Sequence, residues 1–308
     1  MTTLPFQLVY HPRYDLNLGD HVFPARKYRL IHDRLLRERF AEPDDFIEPQ
    51  AASDDDVLRV HDPGWVQRLK TGTLSHAEII KLEIPYSCEM VEGFWLATGG
   101  TILAARNALR DRIGFNIGGG FHHAFPAHGE GFCAIHDVAI AIRALQHDRA
   151  IEKALIVDCD VHHGNGTAAI FKGDRSVLTL SLHQFNNYPS AKPPSVIDVD
   201  LRDGVEDGEY LDRLGGALQV AMSFAPDLLF YVAGADPYRK DQLGGLALTM
   251  DGLKRRDQLV FETALAQSVP VAVVLAGGYA RDTDDTVTIH CNTAKAAREA
   301  LVQESKQP

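Results

Sequence analysis

Apolar residues gather in five short unbroken runs: RIGFNI (112–117), ALIVDCD (154–160), SVLTLSL (176–182), LLFYVAG (228–234) and VAVVLAGG (271–278). Their brevity, β-branched content and nearby glycines predict strands rather than helices. Between them apolar residues recur at helical spacing, predicting helices over about 24–40, 91–110, 137–149, 165–172, 208–224, 251–267 and 292–304. In HDVAIAIRALQ, Asp137 stands at an N-cap position. Strand runs that are apolar throughout fit a sheet covered on both faces, and their alternation with helices predicts an α/β fold around a mostly parallel sheet. The polar stretch AEPDDFIEPQAASDDDVLRVHDPGW reads as loops with a short strand or helix, not as a boundary, and no repeat or low-complexity linker interrupts the chain. Residues 1–308 are therefore expected to form one domain.

In open parallel sheets, ligands bind beyond the carboxyl ends of the strands. Four of the predicted strands run straight into polar residues there. RIGFNI leads to GGGFHHAF, ALIVDCD to VHHGNG, LLFYVAG to ADP, and VAVVLAGG to YARD. Histidine, aspartate and tyrosine at four separate strand exits predict one shared site on one rim.

Composition narrows the partners. The chain has 308 residues, 45% hydrophobic and 24% charged, which is ordinary for a protein with a sizeable core. Lys and Arg number 31 against 42 Asp and Glu, a net charge of −11. An acidic surface repels phosphate backbones, so no nucleic-acid partner is expected. No apolar run reaches the ~20 residues of a membrane-spanning helix, so no membrane partner is expected either. Of the four cysteines, none forms a CxxC pair, and MTTLPFQLVYHPRY lacks a basic segment followed by an apolar one. A reduced, cytoplasmic setting is the expectation.

The polar exits have a definite chemistry. Asp160 and His162, one residue apart at a strand end, can face the same side. With Asp236 they make a set of two carboxylates and one imidazole that leaves a divalent metal open to water and substrate. Zinc fits this set, and iron(II) also suits its hard donors. The glycines of GGGFHHAF do not spell a phosphate loop; they permit a tight turn. His122 and His123 can move protons near neutral pH. Tyr279 can donate to a developing oxyanion. Phe132, flanked by glycine at Gly131, can wall a narrow channel.

These residues together resemble the histone deacetylase superfamily, with its bacterial acetoin utilisation proteins and acetylpolyamine amidohydrolases. The resemblance runs in order through VYHPRY, GGGFHHAF, GFCAIHD, DCDVHHGNG, SLH, AGADP and LAGGY. FPARKYRLIHDRL and IPYSCEMVEGFWLATGGTILAAR look most like the class IV members and their bacterial relatives. The resemblance implies an arginase-like three-layer fold with a roughly eight-stranded sheet, and zinc-dependent removal of an acyl group, usually acetyl, from a lysine-type amine. It implies that Asp160, His162 and Asp236 hold zinc and that His122 and His123 are the tandem catalytic histidines. Tyr279 then stabilises the transition state. Asp158 pairs with His122 and, with Ser181 and Leu182, helps hold a structural potassium. Phe171, Asp174 and Val177 fall where a second such cation is held. Phe132 and Tyr188 become tunnel walls, beside Gly131.

Two positions qualify this expectation. Asn165 lies where class I members have Asp, so His123 is expected to be the general base with a neutral partner, while His122, paired with Asp158, supports the charge. Leu243 lies where polyamine-selective relatives carry an acid, and Arg239 and Lys240 nearby are basic. An acylated lysine is therefore the expected substrate, with an acetylpolyamine or other small acyl amide as the alternative and a non-catalytic acyl-ligand binder behind it. The segment with Glu83 and Tyr86 is expected at the entrance. His163 has no assigned role, and the oligomeric state is open.

Overall fold

A computed structural model describes residues 3–304. Among them lie eight strands: β1 (Leu8–Val9), β2 (Phe46–Ile47), β3 (Ile113–Asn116), β4 (Ala154–Asp158), β5 (Val177–Gln184), β6 (Ile197–Leu201), β7 (Leu228–Val232) and β8 (Val271–Val274). They form one sheet in the order β2-β1-β3-β8-β7-β4-β5-β6, and every pair is parallel. The five apolar runs are β3, β8, β7, β4 and β5, the contiguous centre of the sheet. Every residue of β3, β4, β7 and β8 is buried, as strands covered on both faces require.

The flanking strands differ. β1 and β2 have two residues each, and β6 alternates buried and exposed positions in IDVDL. Short or polar edges of this kind discourage pairing with a second chain.

Among the described residues, ten α-helices surround the sheet: α1 (Lys27–Arg37), α2 (Asp54–Leu58), α3 (Pro63–Thr71), α4 (His76–Leu82), α5 (Cys88–Asp111), α6 (Asp137–His147), α7 (Asn165–Ile170), α8 (Asp207–Met222), α9 (Met250–Ala266) and α10 (Thr283–Glu304). α5 packs on β3 and β8, α8 on β5 and β6, and α9 on β8. None of the described helices is long and apolar enough to cross a membrane. Seven match the predicted helices, but α10 begins nine residues before the expected 292. α2, α3 and α4 are short, and each is started by a side-chain cap, from Ser53, Asp62 and Ser75. The N-cap of α6 is His136, not Asp137: His136 Nδ1 accepts from Ala139 N at 3.2 Å. Asp137 is free for another task, described below.

The strand order fixes where a ligand can sit. The chain crosses from β3 to β4 and later returns to place β7 and β8 in the gap between them. The four polar exits therefore belong to four neighbouring strands, β3, β8, β7 and β4.

Candidate active site

Asp160, His162 and Asp236 come together where β4 and β7 end side by side. All three are buried, and one donor atom from each lies within 4.8 Å of the others. His162 Nδ1 is 2.9 Å from Asp160 Oδ1 and 3.4 Å from Asp236 Oδ2. Backbone amides orient the carboxylates: Val161 N donates to Asp236 Oδ1 at 2.9 Å and Gly277 N to Asp160 Oδ2 at 2.8 Å. Gly277 must be glycine, because a Cβ there would meet Asp236 Oδ2 at 2.0 Å.

Two adjacent buried carboxylates repel each other and are costly without a cation. Burial and then the charge of Asp160 push the Asp236 carboxyl up to about 7. Asp236 Oδ2 is buried and has no hydrogen-bond partner. This unsatisfied acceptor, in a set of two carboxylates and an imidazole, fits a divalent metal ion.

A buried ion pair supports this floor from below. Arg256 Nη2 lies 2.8 Å from Asp257 Oδ1, and Arg256 Nη1 donates to Gly234 O at 2.6 Å and Cys159 O at 3.3 Å. Those carbonyls immediately precede the Asp160 and Asp236 segments. Lys27, also buried, donates to the Ala276 carbonyl beside Gly277. Burial lowers its ammonium to about 8, against the pull of Asp236 and Asp160.

The exit of β3 delivers the two histidines. Gly119 and Gly120 turn the chain with φ of 77° and 80°, a conformation that favours glycine. Asp137, at the start of α6, holds this turn by accepting from Gly120 N at 3.0 Å and Phe121 N at 2.8 Å. His122 Nδ1 then lies 2.7 Å from Asp158 Oδ2, and His123 Nδ1 lies 2.7 Å from Asn165 Oδ1. Burial opposes charge on His122, but Asp158 and Asp160 raise it to about 9. Burial, and after it the neighbouring His122 and His162, pull His123 well below the ordinary imidazole value. One ring favours the charged form and the other the neutral form.

Above this floor is a cavity of about 390 Å³. Gly131, Phe132, Tyr188 and Leu243 all line it, with Tyr279, Glu83 and Asn187. Tyr279 is held by its backbone: its N–H donates to Asp241 Oδ2 at 2.6 Å. Its ring centroid is 6.1 Å from that of His162 and 5.9 Å from that of Phe132. Burial, then Asp160 and Asp236, push its phenol well above the usual range, so it stays a proton donor. The cavity thus runs between aromatic rings from the surface to the metal-suited floor.

The histone deacetylase domain profile matches residues 21–294. The chain belongs to the histone deacetylase family. An uncharacterised protein of Picosynechococcus is 42% identical over 296 residues, covering 96% of this chain and 99% of that one. Histone deacetylase 2 of Arabidopsis thaliana is 30% identical, over 96% of this chain and 80% of its own. The solved HD domain of HDA15 superposes with a TM-score of 0.80 at 25% identity, covering 96% of this chain and 89% of that chain. The chain is accordingly a deacetylase, a hydrolase of acyl amides, and its family is generally metal-dependent.

Elsewhere in the deacetylase, Asp158 and Ser181 are paired residues of β4 and β5, with Leu182 next in the strand. Ser181 Oγ lies 3.0 Å from His183 Nδ1. Asp174 Oδ2 accepts from Arg143 at 2.6 Å and its Oδ1 from Ser176 N at 2.8 Å, while its own N–H donates to Phe171 O at 3.0 Å. Tyr86 turns from the entrance, its hydroxyl donating to Leu69 O at 2.8 Å; only Glu83 of that pair reaches the cavity. His163 packs edge-on to His183 with ring centroids 4.5 Å apart, and its Nε2 is 3.3 Å from Asp198 Oδ1. Sequence reasoning misses Glu130, Asn187, Lys27 and Arg256. Arg256 and Lys27 sit in helical patterns that read as solvent-facing, and nothing local marks Glu130 as a neighbour of Asn165.

Proposed function

We propose that this deacetylase hydrolyses the acyl amide of an acyl-lysine-type amine, with acetyl as the acyl group and zinc held by Asp160, His162 and Asp236. The observation that carries this reading is the convergence of that donor set with the adjacent His122 and His123 beside one aromatic-walled cavity, which His123, His162 and Tyr279 line. When bound, zinc supplies Lewis acidity for the acyl carbonyl and acidifies the attacking water.

The chain's own groups do the rest. Phe132 and Tyr188 flank an extended alkyl chain and exclude water around it. His123, neutral at pH 7, takes the proton of the attacking water at Nε2. His122, held charged by Asp158, orients that water and stabilises the negative charge that develops. Tyr279 donates its hydroxyl proton as a hydrogen bond to the oxyanion. The proton on His123 then passes to the departing amine. Asp158, Ser181 and Leu182 are the residues that would hold a potassium ion, which would add positive charge near the Asp158–His122 pair. The four cysteines, all free, support a reducing, cytoplasmic setting.

A second reading has its own observation. Glu83, an exposed residue, lines the cavity, so an acidic residue borders it despite Leu243. That feature suits the distal ammonium of an acetylpolyamine. A panel of acyl-lysine peptides, from acetyl to myristoyl, and acetylpolyamines separates the two by kcat/KM. Tyr279→Phe is expected to lower kcat by about 10²- to 10³-fold, the loss typical of one oxyanion donor, with metal content unchanged. Equal turnover in that variant removes the tyrosine from the mechanism. A chain that binds a hydroxamate but turns over no member of the panel is a binder, not an enzyme.

A further inference from the structure

We infer that Glu130 is a positioning residue that fixes the tautomer of His123 through Asn165. Asn165 Nδ2 donates to Glu130 Oε1 at 2.5 Å, on the side opposite the contact of Asn165 Oδ1 with His123. An asparagine amide has one accepting end and one donating end. Alone, it can turn either end to an imidazole. If the NH2 faced His123, Nδ1 would have to accept, the ring proton would sit on Nε2, and the nitrogen facing the cavity would have no lone pair for a proton.

Glu130 removes that choice. An ionised carboxylate only accepts, so the NH2 of Asn165 must face it. Asn165 Oδ1 must then face His123 and receive the proton of Nδ1. The lone pair of His123 is left on Nε2. Glu130 is kept ionised by its own partners: its Oε2 lies 2.9 Å from Lys81 Nζ and 3.0 Å from His128 Nε2. Burial works against the charge, but His128, Lys81 and Asn165 hold the carboxyl down at about 2. Tyr188, a cavity wall, places its hydroxyl 3.4 Å from Glu130 Oε1. Where His122 rests directly on a carboxylate, His123 reaches one through an intervening amide.

The inference rests on the proposed role of His123 as base, and two readouts separate the claims. The first is steady-state kinetics of metal-loaded Glu130→Gln, Asn165→Asp and the double variant. The amide introduced by Glu130→Gln can turn either end to Asn165, so kcat is expected to fall about 10- to 100-fold, the loss typical of such outer partners. KM is expected to stay within about twofold, because no substrate contact is removed. Asn165→Asp alone sets two carboxylates against each other and also loses activity. In Glu130→Gln/Asn165→Asp the repulsion is gone, and an aspartate accepts from Nδ1 whatever stands behind it. The double variant is therefore expected to recover most of the lost kcat. A purely structural role predicts losses that multiply, and that result overturns the inference.

The second readout is the nitrogen-15 spectrum of His123, assigned against His123→Gln. Wild type is expected to carry its proton on Nδ1 and Glu130→Gln to show a mixture of tautomers. A pure Nδ1–H form in Glu130→Gln also overturns the inference. If wild type turns over no acyl amide, the proposed function fails on its own, and the spectrum still decides the role of Glu130.

Discussion

His122 and His123 are adjacent in sequence, and their ring centroids are 4.0 Å apart, yet their surroundings are opposite. The inner histidine meets Asp158 directly, and the nearby Asp160 oxygen is 3.7 Å from its Nε2. The outer histidine meets a neutral amide, and the charge of Glu130 lies one residue further out. The inner group favours the imidazolium and the outer one the free base. The difference comes from what stands behind each ring, since the rings themselves are in contact and leave one turn of backbone. Adjacent identical side chains can divide acid and base work when their partners differ by a single formal charge.

The inner half depends on a fixed floor, so the largest effect is expected from Arg256→Met. That variant leaves Asp257 buried without its cation and frees the carbonyls of Cys159 and Gly234. A loss of about 3–5 kcal/mol is expected in urea unfolding, as for other broken buried pairs. A loss below about 1 kcal/mol would mean that the Asp160 and Asp236 segments hold themselves in place. The next effect is smaller and bears on the contrast itself. Asp158→Asn gives the inner histidine the neutral partner of the outer one. Its kcat is expected to fall about 100-fold, more than in Glu130→Gln, because the lost charge touched the ring. His122→Ala and His123→Ala extend the test: hydrolysis near the wild-type rate in His123→Ala but not in His122→Ala would overturn the proposal that His123 is the base.

Much of this arrangement is legible along the chain, for a physical reason. The centre of a parallel sheet must be apolar on both faces, so β3, β4, β5, β7 and β8 stand out as unbroken runs. Their polar exits stand out for the same reason. β6 does not, because an edge strand is covered on one side only, and IDVDL alternates Asp198 and Asp200 with apolar residues. The start of α10 escapes because its opening segment, TDDTVTIHC, buries Thr286 and His290, polar residues that a search for apolar periodicity passes over. Arg256 and Lys27 are hidden by the same rule: charged helix residues usually face water, and these two instead satisfy buried carbonyls. Glu130 stands 35 positions from Asn165, and only the fold brings that pair together.

The smallest expected effect isolates the outer charge without any substrate. The carboxyl of Glu130 sits at about 2 in the folded chain, below the roughly 4.3 of a free glutamate. A depressed value means that the folded state binds the proton less readily than the unfolded chain. Its stabilisation is therefore fully present above about pH 4.5 and is lost as pH falls from there towards 2. Glu130→Gln has no such group. Urea unfolding of both proteins, each stripped of metal, is expected to give a wild-type stability curve steeper by up to about one proton between pH 4.5 and 3. Above pH 5 the two curves are expected to run parallel, with wild type the more stable. The partners of Glu130 sharpen the reading: Lys81→Met raises the Glu130 value and moves the steep region to higher pH, while Asp158→Asn, on the inner side, leaves it in place. Parallel curves throughout the acid range would show that Lys81, His128 and Asn165 do not hold the charge, and the contrast between the two histidines would then rest on Asp158 alone.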